Sequence, residues 1–378
     1  MKKIISSWLA ICMLAIPAAA VSGAPNVEAD SVVLIEQETG ALLYEENAHA
    51  PKTADGITKI MTLLLAMEAV DEGHLTMNTM ITVSSHAAGM GGLQVYLKEG
   101  EQISVHDLIK SVAMTSGNDA AVALSEAVSG SESAFVTRMN EKASELGLED
   151  TTFQNCTGLS TDGNITSAYD VAMISRELLS HEGIKAYAAT WIDSLRDGEF
   201  QLANTNKLVR FYEGTTGLHT GYVATEGYCI SASAERDGME LIAVVFGAPN
   251  ADARYETAKS LLNFGFANYT MVDVKPDRAL APVDVILGEQ EELQPHFAES
   301  ARILMEKTQK DGLTQTWEIQ SQVEAPVQQG QVLGKWSIFA SDGTMIKEIS
   351  IVAPEEVPRL TMGGLFSRLL QILLMKTQ

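Results

Sequence analysis

The chain has 378 residues, enough for two domains with cores of their own. Its 46% hydrophobic and 20% charged residues are ordinary for a folded soluble protein. A formal net charge of −23 argues against nucleic acid as a partner.

Lys2 and Lys3 precede an apolar run from Ile4 to Ile16, and Pro17 with the small residues Ala18 to Ala24 offers a cleavage site. Residues 1–24 read as a secretory signal peptide, cut between Ala20 and Ala24. The competing reading, a transmembrane anchor, needs a longer run. Loss of Lys2 and Lys3 takes the net charge from −23 to −25. Of three cysteines, Cys12 lies in the leader; Cys156 and Cys229 are expected to be buried thiols, since one bridge is not a disulfide scaffold.

Apolar runs at Ser31–Gln37 and Ala41–Glu45 flank Glu38-Thr39-Gly40 and predict a β-hairpin. A helix is expected from about Ile57 to Val70. Ser104 with Asp107 resembles a capping box and predicts a helix ending near Thr115. Asp119–Ala127, Ala134–Leu146 and Ala168–Ser180 also read as helices, with Gly147 placed to end the second. Tyr228–Ala234 and Glu240–Phe246 predict another hairpin, and Asp252–Phe264 a further helix. Strands at both ends with helices between them imply one α/β domain with a helical insertion, residues 25–270.

After Val272, Pro276, Pro282 and Pro295 break the chain into short alternating segments. Gly334–Phe339 and Met345–Val352 flank Ser341-Asp342-Gly343 and predict a hairpin in a small all-β domain, residues 274–355. In the tail, 356–378, Leu365, Phe366, Leu369, Leu370 and Leu373 fall at helical spacing beside Arg359, Arg368 and Lys376. This predicts an amphipathic helix lying on an anionic membrane surface; packing on the β domain or on a partner is the alternative. Arg368 and the short run exclude a span.

Three short motifs carry the chemistry. Ala54-Asp55-Gly56-Ile57-Thr58-Lys59 reads as Ser-x-x-Lys with glycine at the serine position. Ser116-Gly117-Asn118 and His219-Thr220-Gly221 follow in order. Ser-x-x-Lys, a Ser-x-Asn-like triplet and Lys-Thr-Gly are the signature of β-lactamases and penicillin-binding proteins. A lysine three residues after a helical serine shares its face and, when buried near other cations, can serve as its base. Lys59 holds that place. Ser116 and Asn118, expected on a loop between two helices, would relay protons and hold a substrate amide. The third motif is expected on an edge strand, whose backbone can bind an extended peptide. There a cation pairs with a substrate carboxylate, Thr220 adds a hydroxyl, and Gly221 permits close approach.

The chain resembles the low-molecular-mass penicillin-binding proteins, the serine-type D-alanyl-D-alanine carboxypeptidases, and most of all those of Gram-positive spore-forming bacteria. The likeness rests on Thr58-Lys59-Ile60-Met61-Thr62, Gly91-Gly92-Leu93-Gln94-Val95-Tyr96-Leu97, Thr115-Ser116-Gly117-Asn118-Asp119-Ala120-Ala121, Thr166-Ser167-Ala168-Tyr169-Asp170, Asn204-Thr205-Asn206-Lys207-Leu208 and Gly217-Leu218-His219-Thr220-Gly221-Tyr222. It covers residues 28 to 270, and the later β domain and terminal helix match the family's layout. The resemblance implies a β-lactam-binding α/β domain, a place on the outer face of the cytoplasmic membrane, and removal of the last D-alanine from peptidoglycan stem peptides. It implies no metal or organic cofactor.

Three departures stand out against that resemblance. Gly56 replaces the acylated serine, His219 the lysine of Lys-Thr-Gly, and Leu93 a serine after the paired glycines. A protonated His219 still attracts a carboxylate, with a charge that fades above pH 6.5. Leu93 is expected to be a surface or packing change. Gly56 is decisive, for in subtilisin removal of the nucleophile lowers turnover about a millionfold. Ser116 is the best candidate for a substitute, being expected near the same pocket; Thr58 should point away and Asp55 makes a poor acylation site. A sequencing or engineered change is the remaining account of Gly56. The expectation is a binder of stem peptides, lined by Lys59, Ser116, Asn118, His219, Thr220 and Gly221, that takes β-lactams only non-covalently. The alternative is a carboxypeptidase with an unusual nucleophile. A β-lactamase ranks third, because no acyl-enzyme forms to be hydrolysed.

Overall fold

The computed structural model describes residues 23–159, 163–310 and 312–366. The expected leader, except for its last two residues, and most of the expected terminal helix lie outside them.

A five-stranded antiparallel sheet organises the first part of the chain. Its strands are β1 (Ser31–Glu36), β2 (Leu42–Glu46), β3 (Thr215–Val223), β4 (Gly227–Arg236) and β5 (Met239–Ala248), in spatial order β2-β1-β5-β4-β3. Both expected hairpins of this sheet form. β4 and β5 join through Asp237 and Gly238, whose φ angles of 51° and 73° are the positive values a tight two-residue turn needs. β1 is buried along its whole length because both faces of the sheet are covered. Val33 and Ile35 pack into one apolar cluster, Val32 and Leu34 into another. That double burial explains why β1 reads as a continuous apolar run.

Helices α1 (Lys59–Asp71), α2 (Val105–Thr115), α3 (Asn118–Ser129), α4 (Glu132–Glu145) and α5 (Ala168–Ser180) build the first cluster; α6 (Ala251–Asn268) covers the opposite face. α1 runs through the middle of its cluster. Its buried residues include Ile60, Met61, Leu63, Leu64, Leu65 and Met67, which surround the helix instead of forming a stripe. Truncating a residue such as Leu64 would cost about 2–5 kcal/mol. α2 starts as its sequence predicts, with Ser104 Oγ accepting the Asp107 N–H at 3.1 Å. α4 gives way to Gly147 at φ 70°.

The later part is all β. β6 (Tyr269–Asp273) follows α6 and pairs with β8 (Arg302–Glu306). β7 (His296–Phe297), β9 (Thr314–Ile319), β10 (Val332–Phe339) and β11 (Met345–Val352) form a sheet ordered β7-β11-β10-β9. Trp317 and Trp336 are cross-strand partners whose rings stack at 5.2 Å, and Phe297 closes on Trp336 at 5.0 Å. Val283–Ile286, Glu292–Leu293 and Gln322–Glu324 make a separate three-stranded sheet. Residues 362–366 are helical, with Met362 and Phe366 exposed. Among the described residues, no helix is long and apolar enough to cross a membrane. Cys156 and Cys229 are both free and buried, as expected.

Candidate functional site

The site lies where the start of α1, the junction of α2 with α3, and the free edge of β3 meet. A 3-10 turn, Gly56–Thr58, leads into α1. A Cβ on residue 56 would stand 3.0 Å from the Thr220 carbonyl oxygen and 3.6 Å from Ser116 Oγ. Any side chain there would therefore point into the meeting place of the three motifs. The turn is fixed from behind by the segment around Asn164. The Asn164 carbonyl accepts the Ala54 N–H at 2.9 Å, and its amide donates to Thr58 Oγ1 at 3.0 Å. Gly158, at φ 72°, presses so closely that a Cβ would lie 2.0 Å from the Asp55 carbonyl oxygen.

Lys59 is the first residue of α1, one turn beyond Gly56, and is 2% exposed. Its Nζ donates to the Thr157 carbonyl at 2.6 Å. Burial lowers its pKa to about 8, against the raising influence of the Asp55 charge. The ammonium can thus lose its proton near neutral pH, as a base must. Sequence reasoning missed Thr157, which holds the lysine through its backbone and so leaves no side-chain signal.

Ser116 is buried and left-handed, with φ 58° and ψ 34°, at the C-terminal end of α2. Asn118 is the first residue of α3, so the expected loop shrinks to a tight junction through Gly117. One N–H of the Asn118 amide is engaged, its Nδ2 donating to the Gly91 carbonyl at 2.8 Å. Its Oδ1 is buried with no partner among the described residues. Asn118 can thus offer that acceptor together with the second N–H of its amide. Asp119, given no role from sequence, accepts the N–H groups of Val95 at 3.1 Å and Leu97 at 3.0 Å and anchors the Gly91–Leu97 segment beside the site. Leu93 is exposed, consistent with a surface change.

β3 is the edge strand expected, and Thr220 and Gly221 face the turn that carries Gly56. His219 corrects the sequence reading. It does not present a cation: it is 1% exposed, and its Nε2 lies 3.0 Å from the Val112 carbonyl, to which an N–H must donate. Burial, then the Lys59 charge, lower its pKa to about 4, so the imidazole is neutral at physiological pH. The histidine is shorter than lysine, and its hydrogen bond turns it into the core. Gly221 has a packing reason to be glycine, since a Cβ would meet Cys229 Sγ at 2.8 Å and Asp55 Oδ2 at 2.9 Å. Two further residues were missed. Arg254 of α6 donates to the Gly221 carbonyl at 3.1 Å, and Asp55 Oδ2 accepts the Tyr222 N–H at 2.6 Å.

Residues 18–250 match the family described as D-alanyl-D-alanine carboxypeptidase, and residues 272–359 match penicillin-binding protein 5, C-terminal domain. The D-alanyl-D-alanine carboxypeptidase DacF of Bacillus subtilis (strain 168) is 41% identical over 337 residues, covering 88% of this chain and 86% of that protein. The chain belongs to the D-alanyl-D-alanine carboxypeptidase family. Among solved structures of like fold is penicillin-binding protein 5 of Haemophilus influenzae, 27% identical, with a TM-score of 0.77 over 89% of this chain and 99% of that one. Penicillin-binding protein D2 of Listeria monocytogenes, in its ampicillin-bound form, is 28% identical, with a TM-score of 0.59 over 65% of this chain and 99% of that one. The carboxypeptidase fold thus covers both parts: the α/β domain carrying the three motifs and the all-β domain that follows.

Proposed function

We propose that this member of the carboxypeptidase family recognises peptidoglycan stem peptides without cleaving them. The observation that carries this is position 56. A side chain there would point between Ser116 and Thr220, yet Gly56 supplies no atom to attack a carbonyl. Lys59, the residue suited to take a proton from such an atom, is buried with a pKa near 8 and has nothing to deprotonate at that position. The edge of β3 keeps the means to bind an extended peptide through its backbone. A β-lactam, which reaches related proteins such as the ampicillin-bound Listeria protein, would here bind without a covalent bond.

The test is a paired measurement on the native chain with a peptide ending in D-alanyl-D-alanine. The proposal expects saturable binding and no D-alanine release; release of many equivalents per chain contradicts it. The second reading, an active carboxypeptidase, has one observation in its favour: Ser116 Oγ lies 3.6 Å from where a Cβ of residue 56 would be. Under it, Ser116→Ala abolishes a D-alanine release that the native chain displays.

We also propose that the protein is exported and held on the outer face of the cytoplasmic membrane by residues 356–378. The support is the leucine spacing with Arg359, Arg368 and Lys376. Deleting 358–378 should release the protein from anionic vesicles; undiminished binding contradicts the tail's role.

A further inference from the structure

Asp55 immediately precedes a helical turn, a place where aspartate ordinarily caps. It does not cap here. Its side chain makes no cap hydrogen bond, and its φ and ψ of −33° and −138° fall outside the usual extended range. The carboxylate reaches instead to the edge strand, where Oδ2 accepts the Tyr222 N–H at 2.6 Å. That N–H points away from β4, on the side where an incoming chain would pair. The same Oδ2 lies 2.9 Å from the place a Cβ on Gly221 would take, and the Gly56 N lies 3.4 Å from that same Cβ place. Asp55 thus puts a carboxylate oxygen on the Tyr222 N–H, and that oxygen and the Gly56 N both border the Cβ position of Gly221. An acyl oxygen of a ligand whose carbonyl carbon faced residue 56 would need this same place, because paired backbone N–H groups are what such an oxygen accepts from.

We infer that Asp55 determines what the groove admits: its carboxylate is an internal competitor for the backbone donors that a peptide or β-lactam carbonyl must use. The inference rests on the reading of the groove as a stem-peptide site. Two features sharpen it. The competitor is anionic and tethered, so it opposes an acyl oxygen both by occupancy and by charge. No cation from His219 offsets it, since that imidazole is turned into the core. Replacing Gly56 alone would therefore give a nucleophile in a groove whose acyl-oxygen place is already filled.

The experiment is a time course of penicillin adduct formation, followed by intact-protein mass, on Gly56→Ser, Gly56→Ser/Asp55→Ala and Gly56→Ser/Asp55→Asn. Each variant is first shown to have a cooperative thermal transition. The serine attacks the lactam carbonyl, the ring C–N bond breaks, the ring nitrogen takes the proton, and the whole penicillin mass stays on the protein. Asp55→Ala is expected to raise the acylation rate at least tenfold over Gly56→Ser. Asp55→Asn, which keeps an acceptor but loses the charge, is expected to fall between the two; it decides the matter if the alanine variant does not fold. Equal or slower acylation without the Asp55 carboxylate overturns the inference and leaves the groove reading standing. No adduct on any folded variant overturns both.

Discussion

His219 and Val112 are joined beneath the groove, the imidazole Nε2 lying 3.0 Å from the Val112 carbonyl and its Nδ1 buried without a partner among the described residues. The histidine therefore acts as part of the core, and acid should find it. Its folded pKa of about 4 lies below the ordinary 6.5, so the unfolded chain takes up a proton first as pH falls. Its contribution is complete above pH 6.5 and is lost between 6.5 and 4. By pH 4.5 the loss is about 2.5 kcal/mol. His219→Gln keeps a donor for Val112 and does not titrate. Urea unfolding at pH 7 and 4.5 should show the native chain losing more stability than the variant by about that amount; equal losses contradict the buried neutral imidazole.

Lys59 gives the second prediction. In Gly56→Ser its free amine would be the base, and its pKa is about 8. The neutral fraction rises about tenfold between pH 7 and 9. The penicillin acylation rate of Gly56→Ser should rise by a similar factor and then level. A rate flat across that range would exclude Lys59 as the base, as would undiminished acylation in Gly56→Ser/Lys59→Met.

Gly158 supports the turn from outside the motifs. Its φ of 72° and the 2.0 Å approach of a Cβ to the Asp55 carbonyl oxygen leave no room for a side chain. Gly158→Ala combines left-handed strain of about 1–2 kcal/mol with overpacking of about 1–3 kcal/mol, for a loss of roughly 3 kcal/mol. A melting temperature within about 2 °C of the native value, an effect of about 1 kcal/mol or less, would show that the 155–159 segment can move aside.

The local signals were legible in the sequence wherever they had a local cause. The hairpin through Asp237-Gly238, the Ser104 cap and the end of α4 at Gly147 follow from residues within a few positions of one another. Placement of β3 at the sheet edge was also legible, through the motif on it. What the sequence hid depends on long-range partners. Asp55 and Tyr222 are 167 positions apart, and Lys59 and Thr157 are 98 apart through a backbone oxygen. His219 was read as a groove cation because its composition, not its orientation, is visible in a sequence. Nor does the sequence show that Gly91 holds one of the two amide N–H groups of Asn118.

The reading proposed above is that Gly56 takes the reactive atom out of a groove that still admits a β-lactam, with Asp55 slowing acylation there and no cation at His219. Intact-protein mass after incubation with a penicillin tests it most directly, on the native chain and on Gly56→Ser side by side. The native chain should carry no adduct, and Gly56→Ser should slowly take up one penicillin. An adduct on the native chain, or none on a folded Gly56→Ser after prolonged incubation, contradicts that reading.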